Sequence, residues 1–236
     1  RSQVFKNLYT MHMKIGRIIM PYKAVLFDLD GTLIDTLEDL GNAVNRVLAG
    51  QGFPEHDLER YRYFVGDGVT MLMIRALPLD RQDDDTIALC VEAFREDYGR
   101  NWNVKTRLYD GVPEMLDKLA LLGLKIAILS NKPHEFTECC VSELLSDWTF
   151  HVVFGQRDTV PRKPNPAGAI EVTERLNIPP GDFLYLGDTN VDMKTADAAG
   201  MFPVGVLWGF RPVEELLESG AQALIHKPIE ILDLLA

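Results

Sequence analysis

Acidic side chains follow two apolar segments of the chain at short spacing. Asp28 and Asp30 come directly after the apolar run 23–27. Asp188 and Asp192 come after a second run of this kind, 183–186. Carboxylates brought together repel one another and lose hydration, and a bound cation relieves both costs. Because oxygen ligands favour a hard ion, these residues predict a Mg2+ site in which one carboxylate can attack an electrophile.

Hydrogen-bond donors occupy comparable places elsewhere in the chain. Ser130 and Asn131 follow the apolar run 125–129, and Lys163 lies on a loop before a helical segment. Hydroxyl, amide and ammonium groups can hold the equatorial oxygens of a phosphoryl group, where charge builds in the transition state. Together with a carboxylate nucleophile, they predict phosphoryl transfer.

Short apolar runs alternate with segments of helical periodicity over most of the chain. Strands are predicted at 23–27, 125–129, 152–154, 183–186 and 204–207, and helices at 113–122, 135–145, 167–176, 191–199 and from about 229. This alternation predicts an α/β fold with a doubly wound parallel sheet. In such sheets the binding crevice lies beyond the carboxyl ends of the strands, so we expect the polar residues to converge there.

The segment between the first and second predicted strands has helical periodicity and no strand pattern. Its first helix is predicted to start at Thr36, with Thr36 and Asp39 forming a capping box. We therefore expect a core built from residues 21–36 and 106–236, with an all-helical insertion at 37–105. Residues 1–20 form an N-terminal extension whose origin the sequence leaves open.

Four segments resemble, in order, the motifs of the haloacid dehalogenase superfamily. They are FDLDGTLIDT at 27–36, LSNKP at 129–133, RKPNP at 162–166 and LGDTNVD at 186–192. The resemblance implies a phosphatase with a Rossmann-like core, in which Asp28 is the nucleophile and Asp30 the general acid and base. It also implies that Lys163 offsets charge on the phosphoryl group, which Ser130 and Asn131 bind.

The same resemblance implies the ligands of the metal ion. Mg2+ would be held by Asp28, the main-chain carbonyl of Asp30 and Asp188, with Asp192 supporting the site. Taken singly, the motifs have ordinary alternatives, such as a turn between strand and helix or a helix start with acidic residues. A receiver domain also combines an acidic pocket with a lysine, but it is about half as long and has no helical insertion.

The helical insertion resembles the cap that many members of the superfamily carry. Its segment FVGDG, 64–68, resembles a turn in the caps of phosphoglycolate phosphatases, where Gly66 and Gly68 would let backbone amides approach an anion. A plain interhelical turn is the alternative. Arg211 is either a crevice residue or an exposed residue at a helix start.

The preferred substrate is therefore 2-phosphoglycolate. The alternatives are a pyrophosphatase, a nucleotidase, a sugar-phosphate phosphatase or a β-phosphoglucomutase-like phosphotransferase. A non-catalytic phosphate-binding relative is the alternative that is not an enzyme.

The net charge, the apolar runs and the cysteines restrict the kinds of partner and the location that we expect. The net charge of -11 argues against binding to nucleic acid, which requires clustered basic residues. No apolar run approaches the roughly 20 residues that span a bilayer, so no membrane association is expected. The three cysteines suggest reduced thiols and a cytoplasmic protein. The expected partner is a small phosphorylated metabolite, and the expected state is a monomer or homodimer.

Overall fold

The computed structural model describes residues 22–235, so the predicted extension at 1–20 lies outside the described residues. The strands are β1 (Ala24–Phe27), β2 (Ile34–Asp35), β3 (Arg107–Leu108), β4 (Lys125–Pro133), β5 (Val152–Gln156), β6 (Phe183–Gly187), β7 (Phe202–Val206) and β8 (Ala223–Ile225). The helices are α1 (Leu37–Gly50), α2 (Leu58–Phe64), α3 (Val69–Ala76), α4 (Asp84–Asn101), α5 (Val112–Leu121), α6 (His134–Leu144), α7 (Ala167–Leu176), α8 (Asn190–Ala199) and α9 (Val213–Glu218). Short 3-10 helices cover Leu79–Arg81, Pro180–Asp182 and Pro228–Leu234.

Six strands form one parallel sheet in the order β5-β4-β1-β6-β7-β8. The central strand β1 has the sequence AVLF and is wholly buried, as expected for a parallel strand covered on both faces by helices. Its alternate side chains enter two hydrophobic clusters, Val25 and Phe27 on one face and Ala24 and Leu26 on the other. The predicted α/β class with a doubly wound parallel sheet is confirmed.

The helical insertion lies between the two strands of a short antiparallel sheet, in which β2 pairs with β3. Helices α1 to α4 lie between these two strands in sequence, and the segment contains no strand. The larger hydrophobic cluster is continuous from β1 into the insertion, where it includes Tyr61, Phe94 and Tyr98. The insertion is therefore packed onto one face of the core.

Several local features differ from the sequence-based predictions. Thr36 precedes α1 as predicted, but it makes no capping hydrogen bond and its hydroxyl is buried without a partner. Asp39 instead accepts hydrogen bonds from the main-chain N–H groups of Lys105 and Thr106 and from the Thr106 hydroxyl. Asp39 thus links the two ends of the insertion, and the predicted capping box is wrong.

The last part of the sheet is also more elaborate than predicted. The short helix α9 and the edge strand β8 were not predicted, and the segment from Pro228 is a 3-10 helix rather than an α-helix. Among residues 22–235, no helix combines the length and apolar character needed to cross a membrane.

Candidate active site

Three acidic residues meet at the carboxyl ends of β1 and β6. These strands pair in parallel with Phe27 opposite Leu186, so the residues that follow them emerge side by side. The N–H of Asp28 extends the ladder by donating to the carbonyl of Leu186 at 2.9 Å. Asp28, Asp188 and Asp192 each present an oxygen, and these three oxygens lie within 4.8 Å of one another.

Lys163 lies between two of these carboxylates. Its Nζ donates to Oδ1 of Asp28 at 2.8 Å and to Oδ1 of Asp192 at 2.7 Å, and the side chain is buried. Burial acts to lower the pKa of Lys163, but the charges of Asp192 and Asp28 outweigh burial and raise it well above its ordinary value. Lys163 is therefore a fixed buried cation beside Asp28.

The cluster nevertheless contains three carboxylates and one ammonium group. Burial, followed by the charge of Asp192, raises the pKa of Asp28 well above its usual range despite the opposing effect of Lys163. Burial, followed by the charge of Asp192, also raises the pKa of Asp188 to about 7. The unbalanced negative charge and the all-oxygen donor set fit a hard divalent cation.

Asp188 is held in a fixed orientation. Thr32 Oγ1 donates to its Oδ1 at 3.1 Å, and the N–H of Phe210 donates to its Oδ2 at 2.8 Å. The two neighbouring glycines have no room for a side chain, since a Cβ on Gly31 or on Gly209 would overlap the atoms of Asp188. Gly31 also has a positive φ of 88°. These glycines explain how a fully buried carboxylate reaches the end of β1.

Asp192 has partners for both of its oxygens. Its Oδ2 accepts hydrogen bonds from the N–H and the hydroxyl of Thr189, which caps α8, and its Oδ1 accepts from Lys163. Asp192 therefore joins the start of α8 to Lys163 and supports the position of that cation.

Ser130 and Asn131 lie within β4, where its register with β5 is irregular. The side chain of Asn131 accepts from the N–H of Lys163 at 2.9 Å and donates to its carbonyl at 3.0 Å. It also donates to the carbonyl of Gly66 at 3.0 Å. The Asn131 side chain is thus engaged in positioning Lys163 and the insertion, while the Ser130 hydroxyl accepts a single hydrogen bond from the N–H of Lys132.

Asp30 contacts Lys132, which in turn contacts Tyr98, and the sequence alone assigns a role to neither. Lys132 Nζ lies 3.0 Å and 3.4 Å from its two carboxylate oxygens and 2.8 Å from the hydroxyl oxygen of Tyr98. Burial acts to lower the pKa of Lys132, yet Asp30 and Tyr98 together raise it above its ordinary value. Lys132 lies in the segment LSNKP, but its partner Tyr98 is distant in sequence, so only the fold reveals the contact.

The glycine-containing turn of the insertion rests directly on the core. Its carbonyls at Val65, Gly66 and Asp67 accept hydrogen bonds at 2.9 Å, 3.0 Å and 2.9 Å. The three donors come from separate segments of the core, and they are Arg211, Asn131 and Arg162 respectively. Gly66 and Gly68 have φ values of 121° and 84°, which side chains rarely adopt. Arg211 is buried, so its interpretation as an exposed helix-start residue is wrong.

A small cavity lies between the insertion and the core. It has a volume of about 50 Å³ and is lined on the core side by Asp28, Asp30, Ser130, Asn131, Lys132 and Phe136. The insertion contributes Leu40, Val65, Gly66, Gly68, Val69, Leu72, Phe94 and Tyr98. The predicted residues Gly66 and Gly68 therefore face the same space as Asp28 and Asp30, and the wall opposite the acidic cluster is largely apolar.

The structure therefore defines an α/β protein with an acidic site at the carboxyl ends of its parallel strands. The model of the haloacid dehalogenase-like hydrolase family matches residues 25–206, and the chain belongs to this family. This match spans the insertion, all strands of the sheet except β8, and the site residues from Asp28 to Asp192.

Individual relatives agree with the family. The chain is 36% identical over 201 residues to a phosphoglycolate phosphatase of Pseudomonas savastanoi pv. phaseolicola, covering 82% of this chain and 73% of the relative. It is 35% identical over 212 residues to a phosphoglycolate phosphatase of Nitrosospira multiformis, covering 87% and 92%. The crystal structure of a predicted phosphoglycolate phosphatase from Haemophilus somnus superposes with a TM-score of 0.84 at 25% identity, covering 92% and 99%. The protein is a phosphatase.

Proposed function

We propose that this phosphatase hydrolyses 2-phosphoglycolate through a phosphorylated Asp28. The observation that carries the proposal is the buried contact between Lys163 and Asp28 beside Asp188, beneath the turn that contains Gly66 and Gly68. Oδ1 of Asp28 accepts the hydrogen bond from Lys163, which leaves Oδ2 to attack. The choice of 2-phosphoglycolate as the substrate rests on the names of the relatives.

In the first step, Oδ2 of Asp28 forms a bond to phosphorus while the bond from phosphorus to the ester oxygen breaks. The carboxyl group of Asp30 donates its proton to that oxygen, so glycolate leaves as the alcohol. Lys163 and the hydroxyl of Ser130 stabilise negative charge on the phosphoryl oxygens. Because the Asn131 side chain is engaged with Lys163 and Gly66, the contact from Asn131 comes from its main-chain N–H.

In the second step, water attacks the phosphorus of the aspartyl phosphate. Asp30, now a carboxylate, accepts a proton from this water, and the bond from phosphorus to Oδ2 of Asp28 breaks. Inorganic phosphate is released, and both aspartates return to their starting protonation states. The same residue thus serves as acid and then as base.

We propose Mg2+ as the cofactor because the acidic cluster has excess negative charge and oxygen donors only. Asp28, the main-chain carbonyl of Asp30 and Asp188 would hold the ion, while Asp192 supports the site through Lys163 and Thr189. When bound, Mg2+ supplies positive charge that draws the anionic substrate to an acidic protein and offsets charge in the transition state.

Residues 37–105 act as a cap in this proposal, with the core formed by 21–36 and 106–236. The cavity between the cap and the core is small, and its wall on the cap side is largely apolar. Exclusion of water by the apolar wall also strengthens the electrostatic contacts of the site.

The test is phosphate release with Mg2+ from 2-phosphoglycolate, pyrophosphate, nucleoside monophosphates and sugar phosphates, compared by kcat/KM. We expect a preference for 2-phosphoglycolate of about a hundredfold, or about 2.7 kcal/mol of transition-state discrimination. A flat profile would contradict the specific substrate. Isomerisation of a sugar phosphate without net phosphate release would identify a mutase, and the absence of turnover on any substrate would favour a non-catalytic relative.

A further inference from the structure

Lys132 connects the acid/base residue of the core to a tyrosine of the cap. Its Nζ contacts both carboxylate oxygens of Asp30, at 3.0 Å and 3.4 Å, and the hydroxyl oxygen of Tyr98 at 2.8 Å. Lys132 and Tyr98 are both buried, so bulk water cannot readily replace either partner. A carboxylate that contacts one ammonium group through both oxygens has little freedom to rotate.

The hydroxyl group of Tyr98 is itself placed by packing across the boundary between cap and core. The ring stacks on Phe94 of α4, with centroids 5.1 Å apart and an angle of 11° between the planes. It meets Phe136 of core helix α6 edge-on, with centroids 5.4 Å apart and an angle of 77°. Movement of the cap away from the core would therefore take the hydroxyl away from Lys132.

We propose that Lys132 is a positioning residue for Asp30, and that Tyr98 makes this positioning depend on closure of the cap. The proposal rests on the proposed function, in which Asp30 transfers protons to and from the reacting oxygens. With the cap closed, Lys132 is held by Asp30 of the core and by Tyr98 of the cap, and the Asp30 carboxyl group faces the cavity. With the cap open, Lys132 loses one partner and becomes accessible to water, so Asp30 is no longer fixed.

A pair of small substrates separates this role from a general contribution to folding. Ethyl phosphate releases an alkoxide that must be protonated as the bond from oxygen to phosphorus breaks. Acetyl phosphate releases acetate, which needs no proton. The value of kcat/KM depends only on the steps up to formation of the aspartyl phosphate. A misplaced Asp30 should therefore lower kcat/KM far more for ethyl phosphate than for acetyl phosphate.

The experiment measures kcat/KM for both substrates with Mg2+ in Lys132→Met, Tyr98→Phe and Asp30→Asn. We expect ethyl phosphate to lose about a hundredfold in Asp30→Asn, and about tenfold or more in Lys132→Met and Tyr98→Phe. Acetyl phosphate should change by no more than about threefold in the same variants. Tyr98→Phe keeps the ring and its packing, so it tests the hydroxyl group alone.

Tyr61→Phe is the matched control. Tyr61 is a buried tyrosine of the cap whose hydroxyl donates to Asn45 at 2.6 Å, away from the cavity. It should affect both substrates equally. Equal losses on both substrates in Lys132→Met and Tyr98→Phe would overturn the inference. A loss on 2-phosphoglycolate with no loss on ethyl phosphate would also overturn it, because it would indicate a contact with the substrate carboxylate. If Asp30→Asn itself shows no difference between the substrates, the proposed role of Asp30 fails instead.

Discussion

Asp192 accepts a hydrogen bond from Lys163 at 2.7 Å, although the structure gives it no place facing the cavity. The same ammonium group donates to Asp28 at 2.8 Å. Because Asp192 is also bonded to Thr189 at the start of α8, it connects the position of Lys163 to a helix rather than to a loop. The geometry around Asp28 therefore depends on Asp192, which contacts Lys163 but does not line the cavity.

Asp192→Asn should lower kcat/KM by about tenfold, because an amide holds the Lys163 ammonium less strongly than a carboxylate does. The variant should also lose about 1 kcal/mol of unfolding free energy through a weaker cap on α8. Phosphate release and urea denaturation check the two effects. Asp197→Asn, at an exposed position of the same helix, is the control, and an equal loss there would show that the effect does not pass through Lys163.

Asp28→Asn should abolish turnover while the protein remains folded. The amide cannot form the aspartyl phosphate, but its oxygen can still accept from Lys163. Because burial and neighbouring carboxylates disfavour the charge on Asp28, its removal should leave the melting temperature unchanged or raise it. Phosphate release and a thermal melt are the measurements. Wild-type activity in this variant would contradict the proposed nucleophile.

The sequence was sufficient for the parallel sheet and for the convergence of the acidic residues, because both follow from short-range periodicity. Buried strands read as apolar runs, and a parallel sheet brings their carboxyl ends to one edge. Asp28 and Asp188 are adjacent for this reason alone. The pairing of β2 with β3 was missed because two residues in each strand carry no periodic signal.

Contacts between distant segments could not be predicted in the same way. Asp39 has the spacing of a capping residue, yet the segment near Thr106 competes for it with three hydrogen bonds. Lys132 was visible in its motif, but its role depends on Tyr98, which only the packing of α4 brings near. The sequence therefore predicts which groups occupy the strand ends, and tertiary packing determines what holds them.

The stabilising effect of Mg2+ should increase with pH. Burial raises the pKa of Asp188 to about 7 and that of Asp28 well above its usual range, so the folded protein binds these protons more tightly than the unfolded chain does. Without metal, the free energy of unfolding should therefore fall as pH rises from the ordinary carboxyl pKa, about 4, through about 7. Mg2+ held by the deprotonated carboxylates, as proposed, should offset this loss.

Thermal melts at pH 5.5 and pH 8 with and without Mg2+ test this expectation. The increase in melting temperature should be larger at pH 8, and Asp188→Asn should largely remove it. An increase of equal size at both pH values would mean that these carboxyl groups do not release protons when the metal binds. An undiminished increase in Asp188→Asn would place the metal elsewhere.

The contacts of three core side chains with successive carbonyls at 65–67 predict that the cap turn is fastened in the closed position. Arg162 is the most exposed of the three donors and bonds to the carbonyl of Asp67 at 2.9 Å, so its removal should not disturb folding. Arg162→Gln should raise KM for 2-phosphoglycolate about fivefold, since one hydrogen bond of about 1 kcal/mol no longer favours closure. Hydrogen exchange at the amides of 65–69 should become faster in the same variant.

Arg100→Gln, which removes an exposed ion pair with Glu96 on α4, should change neither quantity. Unchanged exchange at 65–69 in Arg162→Gln would mean that Arg211 and Asn131 are sufficient to hold the turn.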